Sequence, residues 1–228
     1  MENRREGPMR RLLYFGVAAI LLLSLSGCGG GGGDSRTIFV VQIVSDKPAD
    51  GDIASDPVLQ TFTIANGPGT LFFGFDDLDP NLKEYRAFLD FPLDGSTGGD
   101  VVPANARIRA ATIEVFINDV AFASTVPTLI ELVVYPINGL REEDFDSAPL
   151  TFPNGSFASR SLDLFSSDQG NYVLIDVTPL MAEAQRRGLL DFQIRFLLDL
   201  VPGAGGLVGI EDLPQVTMTS PRLTVEYD

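Results

Sequence analysis

The chain has 228 residues, 31 acidic against 16 basic, with no histidine, no tryptophan and one cysteine. The lack of histidine removes the commonest general base near neutral pH and the commonest zinc and copper ligand, so Ser–His–Asp and Cys–His arrangements are excluded within the chain. A single cysteine excludes an intrachain disulfide, and the acidic surplus argues against nucleic acid as a partner.

Residues 1–27 show the three zones of an export signal. Arg4, Arg5, Arg10 and Arg11 form a basic start, and an apolar run from Leu12 to Leu25 follows. Roughly 14 helical residues rise about 21 Å, short of the ~30 Å hydrocarbon thickness, which suits a cleaved signal better than a stable span. Leu25-Ser26-Gly27-Cys28 then resembles the lipobox of bacterial lipoproteins. That resemblance implies cleavage before Cys28 and a diacylglycerol on its thiol, so that the membrane is a partner through the lipid. Gly29 to Gly33 bury no side chain and read, within 28–36, as a tether. In diderm bacteria an Asp after the cysteine commonly retains a lipoprotein at the inner membrane. Gly29 at that position implies sorting to the outer membrane if the organism has one. The remaining chain of about 200 residues holds 12 basic and 29 acidic side chains, a net charge of −17.

From residue 37 onward, short apolar runs alternate with Pro, Gly, Asn and Asp. Strands are predicted over 37–44, 58–64, 70–75, 85–91, 107–117, 128–137, 171–177, 190–198 and 221–227. In 107–117 Ile108, Ala110, Thr112, Glu114 and Phe116 share one face, and Arg107, Arg109, Ala111, Ile113, Val115 and Ile117 the other. In 190–198 Leu190, Phe192, Ile194, Phe196 and Leu198 share one face against Asp191, Gln193 and Arg195, the pattern of a strand with one wet side. Turn signals include Asn66-Gly67-Pro68-Gly69, Asp94-Gly95, Asn138-Gly139 and Asn154-Gly155. One short helix is predicted near 179–187, with Thr178 as N-cap, Pro179 in its first turn and Gly188 past its end. The predicted fold is all-β, an antiparallel β-sandwich of jelly-roll type, in a single domain over 37–228.

The order of the pieces resembles the DNRLRE domain family, also met as a type of carbohydrate-binding module with a jelly-roll fold. The matching stretches are Pro48-Ala49-Asp50-Gly51-Asp52-Ile53, Leu71-Phe72-Phe73-Gly74, Tyr85-Arg86-Ala87-Phe88-Leu89-Asp90-Phe91 and Ile108 to Val115. Further on they are Leu132 to Glu143, Ile175-Asp176-Val177-Thr178 and Ser220 to Tyr227. Where members carry a Trp, this chain has Phe145 and Thr151-Phe152, so sugar stacking by that residue is not carried over.

Chemistry beyond Cys28 rests on carboxylates. Asp76, Asp77 and Asp79 form one acidic loop and Glu211-Asp212 another, and Asp46, Asp50, Asp52 and Asp56 form a third group. Such oxygens suit calcium, although the chain lacks EF-hand spacing and the fold requires no cofactor. Arg86 in one apolar run and Asp176 at the end of another suggest a buried Arg–carboxylate pair pinning two strands. Three functions stay open: a non-catalytic, lipid-anchored envelope domain for surface structure, adhesion or assembly; a module holding polysaccharide; and a glycan hydrolase using two carboxylates. The first takes another envelope protein as its partner. The sequence selects no carboxylate pair for the third, and the expectation is that the chain is not an enzyme. Phenylalanine outnumbers tyrosine 16 to 5. Tyr85, Tyr135, Tyr172 and Tyr227 read as core or rim rather than a sugar platform.

Overall fold

The computed structural model describes residues 37–201, 204–213 and 218–228. The predicted signal, Cys28 and the glycine tether lie outside them. The domain runs from Ile38 to Asp228 as one compact unit. Its strands are β1 (Phe39–Val44), β2 (Gly51–Asp56), β3 (Thr61–Asn66), β4 (Gly69–Phe75), β5 (Glu84–Pro92) and β6 (Ile108–Ala121). They continue with β7 (Thr125–Leu132), β8 (Ser159–Phe165), β9 (Asn171–Asp176), β10 (Asp191–Leu198), β11 (Leu207–Asp212) and β12 (Arg222–Tyr227). The helix α1 is Thr178–Arg187.

Every strand pairing is antiparallel. One layer runs β8-β7-β10-β5-β2-β3 and the other β1-β12-β6-β9. Residues 112–114 of β6 pair with both β9 and β12, so these lie on opposite edges; Ile117 likewise pairs with β9 and β11. Hence β11 and β12 follow each other along one edge of β6. β4 continues from β11 and touches β5 at only two positions, Gly74↔Tyr85 and Phe75↔Glu84. This corner joins the layers and gives the jelly-roll-type sandwich its curl. Gly74 makes the corner: its φ is +106°, and a Cβ there would lie 2.2 Å from the Gly206 carbonyl oxygen. Only glycine fits both demands.

The main core fills the space between the layers. Leu89 and Phe91 of β5, Phe192, Ile194 and Phe196 of β10, and Leu71 and Phe73 of β4 are fully enclosed, facing Ile113, Val115, Ile117, Leu223 and Val225. Aromatic contacts cross it, with Phe73 and Phe196 at 5.6 Å. α1 packs Leu180, Met181 and Ala184 against the same core. Gly188 ends it in the left-handed region at φ 67°, donating its N–H to the Gln185 carbonyl. The N-cap position belongs to Val177, not Thr178. Asp176 Oδ1 accepts from the Thr178 amide and hydroxyl, while Thr178 Oγ1 accepts from Ala111 N–H, so the threonine ties the helix to β6 instead of capping it.

Three strands differ from expectation by their presence. β2, β8 and β11 carry Asp, Ser, Arg, Gly or Glu within them, which masks their apolar period. The expected strand 58–64 starts later, because Asp56 Oδ1 takes the Val58 and Leu59 amides and folds that stretch into a turn. The expected strand 128–137 ends at Leu132.

The wet face predicted for 190–198 is the main correction. Gln193 and Arg195 are as buried as their apolar neighbours, whereas Leu190 is exposed. A second, smaller core of Ile53, Phe88, Val133, Tyr135, Leu140 and Phe145 covers that side of the layer. Arg195 lies opposite Glu131 across the β10–β7 ladder and donates Nε and Nη2 to Glu131 Oε2. Its Nη1 reaches the Asp144 and Phe145 carbonyls at 3.0 and 2.6 Å, and Nη2 the Ser147 carbonyl at 3.0 Å. This guanidinium thus fastens the 144–147 segment over the sheet, with Arg86 also bonding the Phe145 carbonyl and Asp146.

Candidate functional site

β4 leaves β5 after two paired residues, while β2 stays on the opposite edge of β5 over Gly51–Ser55. The divergence opens a wedge between β4 and the β2–β3 hairpin. It encloses about 310 Å³ and is lined by Asp52, Ala54, Thr63, Ala65, Thr70, Phe72, Lys83 and Tyr85. Strand alternation puts these residues here, because Ile53, Phe62 and Ile64 of the same hairpin turn to the smaller core. Asp52 Oδ2 accepts the Phe72 N–H at 3.1 Å, an amide on the edge of β4 that β5 leaves unpaired.

The rings of Phe72 and Tyr85 meet edge to face at 6.1 Å, both half-exposed. Lys83 pairs with Asp79 at 2.8 Å, and this hydrogen bond raises its pKa. Burial pushes the Asp52 carboxyl up to about 6, against the opposing pull of the Phe72 amide. Burial and the charge of Asp76 raise Tyr85. The wedge therefore offers two ring surfaces, a carboxyl, an ammonium and two threonine hydroxyls within one small volume.

A comparison with protein-family models finds no match to the chain, and a comparison with curated proteins finds none.

A second polar feature is internal. Asp50, Asp90 and Asp212 have no exposed surface. Asp50 Oδ1 accepts the Asp90 N–H at 2.7 Å, but Asp50 Oδ2 and both oxygens of Asp90 and Asp212 lack hydrogen-bond partners, as do Ser45 Oγ and Tyr135 Oη. Lys47 Nζ stands 3.6 Å from Asp212 Oδ1 and donates to the Leu213 carbonyl. Burial, then the charge of Asp212, lifts Asp50 well above the carboxylate range. Burial raises Asp212 to about 6 despite Lys47, and burial with Asp191 nearby raises Asp90 to about 7. The wedge does not include these three residues, so they form a proton-holding interior.

Of the carboxylates expected to suit calcium, Asp56, Asp76, Asp79 and Glu211 are engaged in local structure. Asp76 Oδ1 accepts the Leu78 amide, and Asp79 takes the Asn81 amide and Lys83. Asp77 lies in the same turn. Glu211 accepts from the Thr219 hydroxyl. Along the β4–β11 ladder Glu211 sits opposite Thr70, six residues before Asp76, so the two loops are roughly 20 Å apart. Asp56 caps its turn and takes the Asn81 side chain. Among the described residues no group of three or more His, Cys, Asp or Glu side chains is arranged to hold a metal ion.

Arg86 and Asp176 do not pair with each other. Arg86 lies 3.9 Å over the Phe145 ring and bonds Glu84 and Asp146; Asp176 bonds Thr178 and approaches Arg160 at 3.4 Å. The buried pair that sequence reasoning sought is Arg195–Glu131. Its one signal was an opposite charge in each of two apolar runs, 128–137 and 190–198. Of the tyrosines, Tyr135 and Tyr227 are buried, Tyr85 lines the wedge, and Tyr172 is exposed against Phe116.

Proposed function

We propose that the chain is a lipid-anchored cell-envelope protein whose jelly-roll domain is non-catalytic and serves surface structure, adhesion or assembly. The observation that carries this reading is the Leu25-Ser26-Gly27-Cys28 sequence at the end of a basic-then-apolar leader. The DNRLRE-like order of motifs agrees with it, as does a domain whose own core is complete from β1 onward. Its buried carboxyls are enclosed rather than presented to a cleft, and Asp52 in the wedge is occupied by a backbone amide. The test is mass spectrometry of the chain isolated from bacterial membranes. The expected N-terminus is Cys28 carrying diacylglycerol; an intact leader or an unmodified Cys28 overturns the reading.

A second reading, a module that holds glycans, is favoured by the wedge. Flat rings beside a carboxyl and hydroxyls suit a pyranose, whose faces carry C–H groups and whose rim carries hydroxyls. On a glycan array the domain then binds one polysaccharide class with micromolar affinity, and Tyr85→Ala weakens that binding roughly tenfold or more. An array with no binding, or binding indifferent to Tyr85→Ala, rejects the wedge as a sugar site.

A further inference from the structure

Most exposed aliphatic side chains of the domain stand singly or at loop tips, as on any soluble surface. The start of β1 is different. Ile38, Phe39 and Val40 are three consecutive large apolar residues exposed at 57, 53 and 57%. β1 is an edge strand, paired with β12 alone. Phe39 stacks on Tyr227 at 5.6 Å, and Tyr227 Oη reaches the carbonyl of Val101, itself an exposed valine. Alternation sends Ile38 and Val40 to one side of the strand and Phe39 to the other, so the whole strand end is apolar, with exposed Arg107 beside it. An exposed apolar edge strand is a pairing hazard unless something covers it.

Its place in the chain says what covers it. Ile38 is ten residues after Cys28. Ten residues reach at most about 35 Å, so an acylated Cys28 keeps this strand end beside the bilayer at all times. The opposite end of the domain has no such constraint. Along β6, Ile108 pairs with Tyr227 while Ala121 pairs with Leu207. The β4–β5 loop is therefore about 40 Å of strand away from Phe39.

We infer that the Ile38–Phe39–Val40 end of β1, with Val101, is a membrane-contact surface that seats the domain on the lipid headgroup region next to its acyl anchor. This inference rests on the lipid-anchored reading. Insertion is shallow, because the unpaired amides of the β1 edge need the polar interface and not the hydrocarbon. Exposed Arg107 reaches lipid phosphates from the rim, while the domain charge of −17 favours zwitterionic over anionic bilayers.

The absence of tryptophan makes the test clean. The acylated full chain carrying Phe39→Trp, Val40→Trp or, as the distal control, Leu78→Trp is reconstituted on phosphatidylcholine vesicles. With Phe39→Trp and Val40→Trp the indole emission shifts to the blue and is quenched by spin-labelled lipid; with Leu78→Trp it stays red and is quenched by aqueous iodide. A chain that floats with the vesicles and is acylated at Cys28, yet shows iodide-accessible, unshifted emission in both β1 variants, overturns this inference and leaves the anchor standing. A chain that does not float or lacks the acyl group instead overturns the anchor. A blue shift that grows with protein concentration and needs no vesicles assigns the β1 edge to a second copy of the chain, and also overturns it.

Discussion

Arg195→Met destabilises the domain by about 3–5 kcal/mol, the loss typical of one partner removed from a buried ion pair. Glu131 then lies in the interior with no guanidinium, and the carbonyls of Asp144, Phe145 and Ser147 lose their shared donor. For a domain of this size that corresponds to a fall in Tm of roughly 10 °C. The double variant Arg195→Met/Glu131→Leu recovers most of the ion-pair part, because two apolar side chains of similar volume need no partner. It does not recover the loop. The 144–147 segment keeps Arg86, through the Phe145 carbonyl and ring and Asp146, but loses every bond to Arg195, so amide exchange there stays faster than in wild type in both variants. Thermal unfolding followed by circular dichroism, with hydrogen exchange of the same samples, reads both effects. A single variant within 1 kcal/mol of wild type removes Arg195 from its central role.

The same residue shows how far the sequence carries. In 107–117 alternation reads correctly, because β6 has one face on the core and one on water, and Ala111, Ile113, Val115 and Ile117 are buried as the period demands. In 190–198 the same pattern misleads. Period two separates the two faces of a strand, but it does not say that the second face is wet. Arg195 is covered by a segment 50 residues away that has no strand period, and Gln193 by Tyr135 beyond the end of β7, and only tertiary structure reveals either. The wedge was illegible for a related reason. Its lining comes as pairs of alternate residues from β2, β3 and β4, with Lys83 and Tyr85 around the start of β5, and β2 was not recognisable as a strand at all. The acidic loops were legible as acidic, but the carboxylates of Asp56, Asp76 and Asp79 are consumed by neighbouring amides, a local use that composition does not distinguish from a ligand set. The helix was the most readable element, since Pro179 and Gly188 mark its ends by their backbone preferences alone.

The interior carboxyls give the domain an unusual pH response. In the unfolded chain Asp50, Asp52, Asp90 and Asp212 release their protons near pH 4. In the folded chain burial holds those protons to about 6 for Asp52 and Asp212, about 7 for Asp90, and higher than ordinary for Asp50. Between these limits the native state binds more protons than the unfolded one, so stability falls as pH rises. The contribution is fully present below about pH 4, and for Asp52, Asp90 and Asp212 it is lost by the time pH has passed through 7. Asp56, Asp79, Asp94, Asp176 and Glu183 act in the opposite sense. Hydrogen bonds or ion pairs hold them below their ordinary range, so their contribution is lost only as pH falls below about 4. Their contribution changes only below about pH 4, so the interior carboxyls set the response near neutrality. Urea unfolding therefore gives a more stable domain at pH 5 than at pH 8, the reverse of a protein limited by acid. Asp90→Asn isolates the largest numbered shift. The amide cannot ionise, and the one uncharged polar side chain bearing on the Asp90 oxygens is Gln193, which a carboxamide also accommodates. The variant matches wild type below about pH 4, begins to exceed it by pH 5, and at pH 8 exceeds it by as much as about 4 kcal/mol, the equivalent of a three-unit shift. A wild-type domain that is most stable at pH 8, or an Asn variant that follows the wild-type pH curve throughout, means that Asp90 reaches solvent or a cation that this interior does not show.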